Sequence, residues 1–488
     1  MHRDDDITAI AATAVPRPGT SRPVSNRVPD TPFSDNPKPV LGLREAIAII
    51  VGIVIGAGIF KAPSMVAMFA ASPEVMFGAW LLGGVVSLIG ALCYAELATS
   101  YPHAGGDYHF LQRAFGRPVS LLFGWARLCV ITTGSIALLG FVFGDYLTAV
   151  LPIPGLSSSG SAAAYAALAV VGLSWLNLRG VSSGCGAQVW LTALEVGGLI
   201  LIVVAAVTLA APSEVAAPAA TVAGSGPPVS FGLAMVFVLL TYGGWNEAAY
   251  ISAELREPRR NMVRALVLSI ALITALYLLV NWAYWHGLGM AGMAKSDAIA
   301  AALLQRAFGS AGATIISLLV AVAALTSINA TMIVGARTSY ALGRDWKPLH
   351  ALGRWDSERG TPSTALHVQC VAALLLIAIG TVAGSGFTAM VEFTAPVFWL
   401  FFLLSGISLF VLRWREPERE RPYRVPFYPV LPIIFCGVCA FMLWSSLSHV
   451  AGQQYGGFNA AWISVALLAL GAIPMWLMRK SSTHRVDR

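Results

Sequence analysis

The chain is 488 residues long, 57 % hydrophobic and only 11 % charged, with a formal net charge of +7 and a mean hydropathy of +0.72. A soluble globular protein carries about a quarter charged residues, so this composition excludes an ordinary cytosolic enzyme, a disordered chain and a disulfide-rich secreted domain. Nor does the positive balance point to nucleic acid, because the basic residues lie between apolar runs and form no patch interleaved with aromatics.

Residues 1–40 contain Asp4, Asp5, Asp6 and seven prolines between Pro16 and Pro39. Such a segment cannot bury enough apolar surface to fold, which predicts a disordered tail. It also lacks the apolar stretch of a signal peptide. Twelve apolar runs follow, at 43–69, 75–99, 117–149, 162–178, 187–211, 230–254, 263–287, 310–340, 364–383, 388–412, 427–449 and 459–478. A bilayer core needs about 20 apolar residues per helix, and a helix satisfies its own backbone in lipid. If the runs alternate across a membrane, 27 of the 31 Lys and Arg residues fall on one side, the exceptions being Lys61, Arg127, Lys295 and Arg306. That bias places both termini in the cytoplasm of a multi-pass protein of the inner (plasma) membrane.

Two runs are interrupted by glycine in matching positions. The first carries Gly52, Gly56 and Gly58, and the sixth carries Tyr242-Gly243-Gly244-Trp245-Asn246. As first and sixth, each opens a five-helix unit, and because five is odd the second unit enters from the opposite side. Paired broken helices in an inverted repeat point to a midplane binding site. A break exposes N–H groups, which attract an anion, and C=O groups, which attract a cation. A zwitterion satisfies both. The six cysteines fall mostly inside apolar runs; Cys436 and Cys439 form a CxxC without a second pair or a nearby histidine, so no metal or cofactor is expected.

Gly52 to Phe60, Tyr94-Ala95-Glu96-Leu97 with Tyr101 to Tyr108, Tyr242 to Asn246 with Glu254 and Glu257 to Asn261, and Arg421 to Pro426 follow one another at a telling spacing. Together they resemble the amino acid–polyamine–organocation (APC) transporter superfamily, in particular its bacterial LAT-like amino acid permeases. The resemblance covers about 43–440. It implies an all-α polytopic membrane protein of 12 transmembrane helices, with a LeuT-type 5+5 inverted repeat, broken helices 1 and 6 and two peripheral helices. The expected organisation is a tail at 1–40, a ten-helix core at 41–425 (repeats 43–211 and 230–413), helices 11 and 12 within 426–480, and a tail at 481–488. The resemblance also places the site, within Val54-Ile55-Gly56-Ala57-Gly58-Ile59 and Leu240 to Asn246. The substrate carboxylate rests on the amides of Ala57 and Gly58. The ammonium meets the carbonyls of Val54, Leu240 and Gly243, and Thr241, Trp245 and Asn246 contact the side chain, with Gly244 at the break. Several relatives carry an aromatic gate where Leu240 stands, so gating is expected from Leu240, Phe237 or Tyr242.

Charges in the apolar zone need a reason. A carboxylate at mid-membrane costs about 2.5–3.5 kcal/mol unless paired or protonated, which makes Glu195 a coupling candidate, against a structural bond to Thr192 or backbone or a place facing an inner vestibule. Many proton-dependent relatives place a lysine at the matching position. Ser327 and Asn329 are weighed as cation or helix-one contacts, against bonds that only join helices. Arg127, about ten residues into the third run, is expected to pair with a carboxylate such as Glu195 or Glu247, against snorkelling inward or contacting the substrate. Glu96 and Glu254 end spans at the cytoplasmic side, either solvated or paired with Arg256 or Arg337.

The expected function is a secondary transporter of small, neutral L-amino acids, a proton symporter or exchanger working by alternating access and not an enzyme. A cationic amino acid or polyamine antiporter is the alternative; a channel or a non-transporting sensor ranks lower. The expected partners are the amino acid, protons and the bilayer. Some animal relatives bond to a single-span partner through an outer-loop cysteine after helix three; 151–162 holds no cysteine, so no disulfide-linked partner subunit is expected.

Overall fold

A computed structural model describes residues 42–103, 106–179, 185–209, 227–246, 255, 257–356, 359, 361–382, 384, 386–452, 454–455, 458–459 and 466–471. Apart from a short antiparallel ribbon, β1 (Gln454–Tyr455) paired with β2 (Phe458–Asn459), the regular structure is helical. Among the described residues, eight helices are long and apolar enough to cross a membrane. They coincide with the expected runs two, three, four, seven, eight, nine, ten and eleven. The fifth and sixth runs give shorter apolar helices, Ala193–Val207 and Phe231–Thr241. Most of the twelfth lies outside the described residues.

The first run does not continue through. Helix α1 (Leu43–Val54) stops, and the Gly56 N–H turns back to donate to the Val54 carbonyl at 2.8 Å. A four-residue 3-10 turn, Ala57–Phe60, follows, and then α2 (Ala62–Phe69). Pro63 sits in the first turn of α2, where its missing N–H breaks no intrahelical bond. Helix α3 (Pro73–Ser100) starts the same way, with Pro73 behind a Ser72 hydroxyl that accepts from the Val75 N–H. A short helix α4 (Asp107–Phe115) leads to α5 (Arg117–Ala126), one π turn at Arg127–Ile131, and α6 (Thr132–Val150).

Helices α7 (Ser158–Leu178), α8 (Cys185–Val207) and α9 (Pro227–Thr241) follow. Helix α10 (Pro258–Ala294) bends at Gly289 and α11 (Ile299–Asp345) at Gly309, both with positive φ. Then come α12 (Ser363–Val382), α13 (Gly386–Arg415) and α14 (Val430–Gly452). Helix α6 packs along α7 and α11, and α10 lies along α3. The divided first run sits among them, with α1 against α10 and α8 and α2 against α9 and α10.

Candidate functional site

The two interruptions abut. Helix α9 ends at Thr241, and Gly243 donates its N–H back to the Leu240 carbonyl at 3.0 Å. Gly244 then takes φ +108°, and a Cβ built there would lie 3.0 Å from Ile53 Cγ2 and 3.2 Å from the Ile53 carbonyl. Only glycine meets both demands, an unusual φ and a near-contact of two backbones. On the other side, Gly58 faces Thr241. The carbonyl ends of α1 and α9 converge on one hydroxyl: Tyr277 of α10 stands 3.0 Å from the Val54 oxygen and 3.1 Å from the Thr241 oxygen, positioned to donate to either.

A cavity of about 390 Å³ opens at this junction. Of the residues expected to bind or gate, Val54, Gly56, Ala57, Gly58, Leu240, Thr241, Gly243, Gly244 and Asn246 line it, together with Phe237 and Ser327. Ile55 and Ile59 are buried behind it. Trp245 turns away and meets the rings of Tyr94 and Phe402 edge-on at 5.2 and 5.7 Å. Tyr242 donates to the Trp80 carbonyl, and Asn329 accepts from the Asn177 amide at 2.7 Å. The sequence reading missed the opposite wall, which includes Thr132 and Ser135 on α6, Thr331 on α11 and Phe398 on α13. The helical spacing of Thr132 with Ser135, and of Ser327 with Thr331, is the signal that could have found it.

Arg127 also lines the cavity, from the π turn. The described carboxylate that feels its charge is Asp107, where the sequence had suggested Glu195 or Glu247. Asp107 accepts from the Tyr94 hydroxyl at 2.6 Å and the Ser405 hydroxyl at 2.8 Å. Glu247 lies outside the described residues, as does the side chain of Thr192. Glu195 is buried on α8, and its Oε2 has no hydrogen-bond partner among the described residues. Its charge is felt at Tyr277.

On α6 the cavity-lining residues end at Leu139. About 9 Å further along that helix, Asp145 holds the Lys61 ammonium at 2.8 Å. Lys61 also donates to the Asp297 carbonyl at 2.7 Å. The neighbouring Tyr146 hydroxyl donates to the Phe60 carbonyl and accepts from the Ala300 N–H. These contacts tie the resumed half of the first run, whose Ala62 lines the cavity, to α6 and to the start of α11.

At the other end the expected partners of Glu96 are corrected. Neither Arg337 nor solvent meets it. It is 1 % exposed, held by Arg413 through Nε at 2.7 Å and Nη2 at 2.5 Å. The Val425 N–H donates to it at 2.6 Å. Glu254 and Arg256 lie outside the described residues. Nearby, Arg113 pairs with Glu416 at 2.8 Å, and the rings of His103 and His109 stack at 4.2 Å. Partial burial pushes the Glu416 carboxyl up, but the hydrogen bond and charge of Arg113 outweigh it and hold the group below its usual range. Burial, reinforced by His103 and Arg113, pushes His109 down to about 4.

The amino acid permease family model matches residues 41–469. The chain is 31 % identical over 416 residues to human b(0,+)-type amino acid transporter 1, covering 85 % of this chain and 84 % of that protein. It is 28 % identical over 414 residues to the rat large neutral amino acids transporter small subunit 2, covering 84 % of this chain and 76 % of that one.

Proposed function

The chain belongs to the amino acid permease family, and on that premise we propose that it is a secondary active transporter of small, neutral L-amino acids, working by alternating access. The observation that carries this reading is the junction of two interrupted helices around one cavity. Its size of about 390 Å³ falls in the range of small-molecule sites, roughly 300–1,000 Å³. The substrate carboxylate sits on the amides of Ala57 and Gly58, at the start of the resumed first helix, where N–H groups lack intrahelical acceptors. The ammonium sits among the carbonyls of Val54, Leu240 and Gly243. The substrate side chain lies against Phe237, Leu240, Thr241 and Asn246.

Neutral substrates are favoured over cationic ones by the wall itself. Among the described lining residues the charged one is Arg127, and no carboxylate lines the cavity. A cationic side chain would meet a like charge there. In this reading the molecule is a LeuT-type 12-helix protein with the repeats at 43–211 and 230–413 and both termini cytoplasmic. The Lys61–Asp145 pair is then its outer seal. Glu195, with Ser327 and Asn329 on α11, forms the coupling region, for proton symport or for exchange. The rat relative is named a small subunit; the absence of cysteine from 151–162 supports a chain with no disulfide-linked partner.

The test is a ligand panel on purified protein. A binder raises the melting temperature by mass action, and the hits are then followed as uptake into proteoliposomes with and without a pH gradient. Stabilisation by alanine, serine or leucine with saturable uptake is the expected result. Stabilisation by arginine or agmatine alone reverses the substrate class, and single-channel current without saturation removes the transporter reading.

A further inference from the structure

Two helix ends that present carbonyls to one ligand also repel each other, because each is the negative pole of a half-helix. In this structure the gap between them is bridged by a residue from a third helix. Tyr277 is fully buried and does not line the cavity. Its hydroxyl faces the oxygens of Val54 and Thr241 at 3.0 and 3.1 Å. Its ring is fixed from behind by Tyr242, at 5.0 Å between centroids, and by Trp80, edge-on at 5.6 Å. The Asn281 amide donates to its carbonyl one turn on.

We propose that Tyr277 is a positioning residue for the substrate's ammonium group: from outside the cavity it holds the carbonyl ends of α1 and α9 at the separation the ammonium requires. This deepens the transporter reading and rests on it. A carbonyl oxygen has two lone pairs. The Val54 oxygen already accepts the Gly56 N–H at 2.8 Å, so the Tyr277 hydroxyl is its second donor, and it yields that place to the ammonium by turning its proton to the Thr241 oxygen. One hydroxyl proton serves two oxygens, and the tie passes between the two ends as they move. The main chain transmits the effect, and the side chain itself never touches substrate.

The test uses ligand pairs that differ only in the α-amino group, L-leucine with 4-methylpentanoate and L-alanine with propanoate, titrated onto the purified full chain. In the wild type, the amino acid binds more tightly than its des-amino partner. In Tyr277→Phe, which keeps the ring stack, that ratio falls about tenfold, the size of one neutral hydrogen bond. Binding of the des-amino acids is unchanged, and in uptake KM rises while the maximal rate holds. Tyr284→Phe removes another buried hydroxyl from the same helix, one without a partner among the described residues, and leaves the ratio intact. An unchanged ratio, tighter amino acid binding, or an equal loss for both members of a pair overturns the proposal. If Tyr277→Phe does not fold, 3-fluorotyrosine at 277, a stronger donor of nearly the same size, raises the ratio; no change overturns it. A wild type that binds no amino acid refutes the transporter reading instead, and the two failures are told apart by that first titration.

Discussion

Lys61 and Asp145 meet at 2.8 Å past the last cavity-lining residue of α6, with the lysine side chain only 5 % exposed. The lysine follows directly on the 3-10 turn that restarts the first helix, so the ion pair ties the resumed half of that helix to α6. Asp297 offers its main-chain oxygen to the same ammonium.

Removing one partner of a buried ion pair costs about 3–5 kcal/mol, because the other charge stays buried. Asp145→Asn is expected at the low end of that range, since the Asp297 carbonyl remains. Melting in detergent should show the loss, and the double variant Lys61→Met with Asp145→Leu should recover most of it. A single variant as stable as the wild type would mean that the pair contributes nothing.

Gly244→Ala joins two penalties at one position. The positive φ costs about 1–2 kcal/mol for a residue with a Cβ, and that Cβ meets Ile53 at 3.0 Å. Uptake is expected to fall more than tenfold. Gly289→Ala carries only the backbone strain, since nothing lies within 4 Å of its Cβ, and should transport nearly normally. Equal activity of the two variants would show that the approach of the two breaks is not used.

Glu195→Gln keeps the shape and removes the titration. If Glu195 couples transport to protons, uptake in proteoliposomes loses its pH dependence while substrate binding at neutral pH persists. The described titratable group facing it from a neighbouring helix is Tyr277. An unchanged rate and pH profile removes Glu195 from the mechanism.

His109 makes an acid-side prediction for stability. Its unfolded value is about 6.5, and burial brings the folded one down to about 4. The unfolded chain therefore binds the proton first, and the stability of the neutral ring, present above about pH 6.5, is lost as pH falls toward 4. The melting temperature should drop on acidification through that window, and His109→Gln should flatten the drop. Parallel curves for the two proteins would assign the acid limb to other groups.

Much of this molecule was legible in the chain itself. Hydropathy and helix length are local, so the helical runs and their ends follow from the order of residues, and the eight described spans coincide with runs read that way. Gly56, Gly243 and Gly244 mark the interruptions because glycine's conformational freedom is also local. Partner choice was not legible. Tyr277 reaches Val54 across 223 positions, Glu96 finds Arg413 across 317, and Trp245 turns toward Tyr94 instead of the cavity. Each depends on how a helix is rotated and at what height it meets its neighbour. One residue's shift turns a side chain by about a quarter of the circle while leaving hydropathy unchanged. The sequence by itself therefore determined a membrane-spanning helical protein with two broken segments; packing alone decided that their carbonyl ends face one tyrosine.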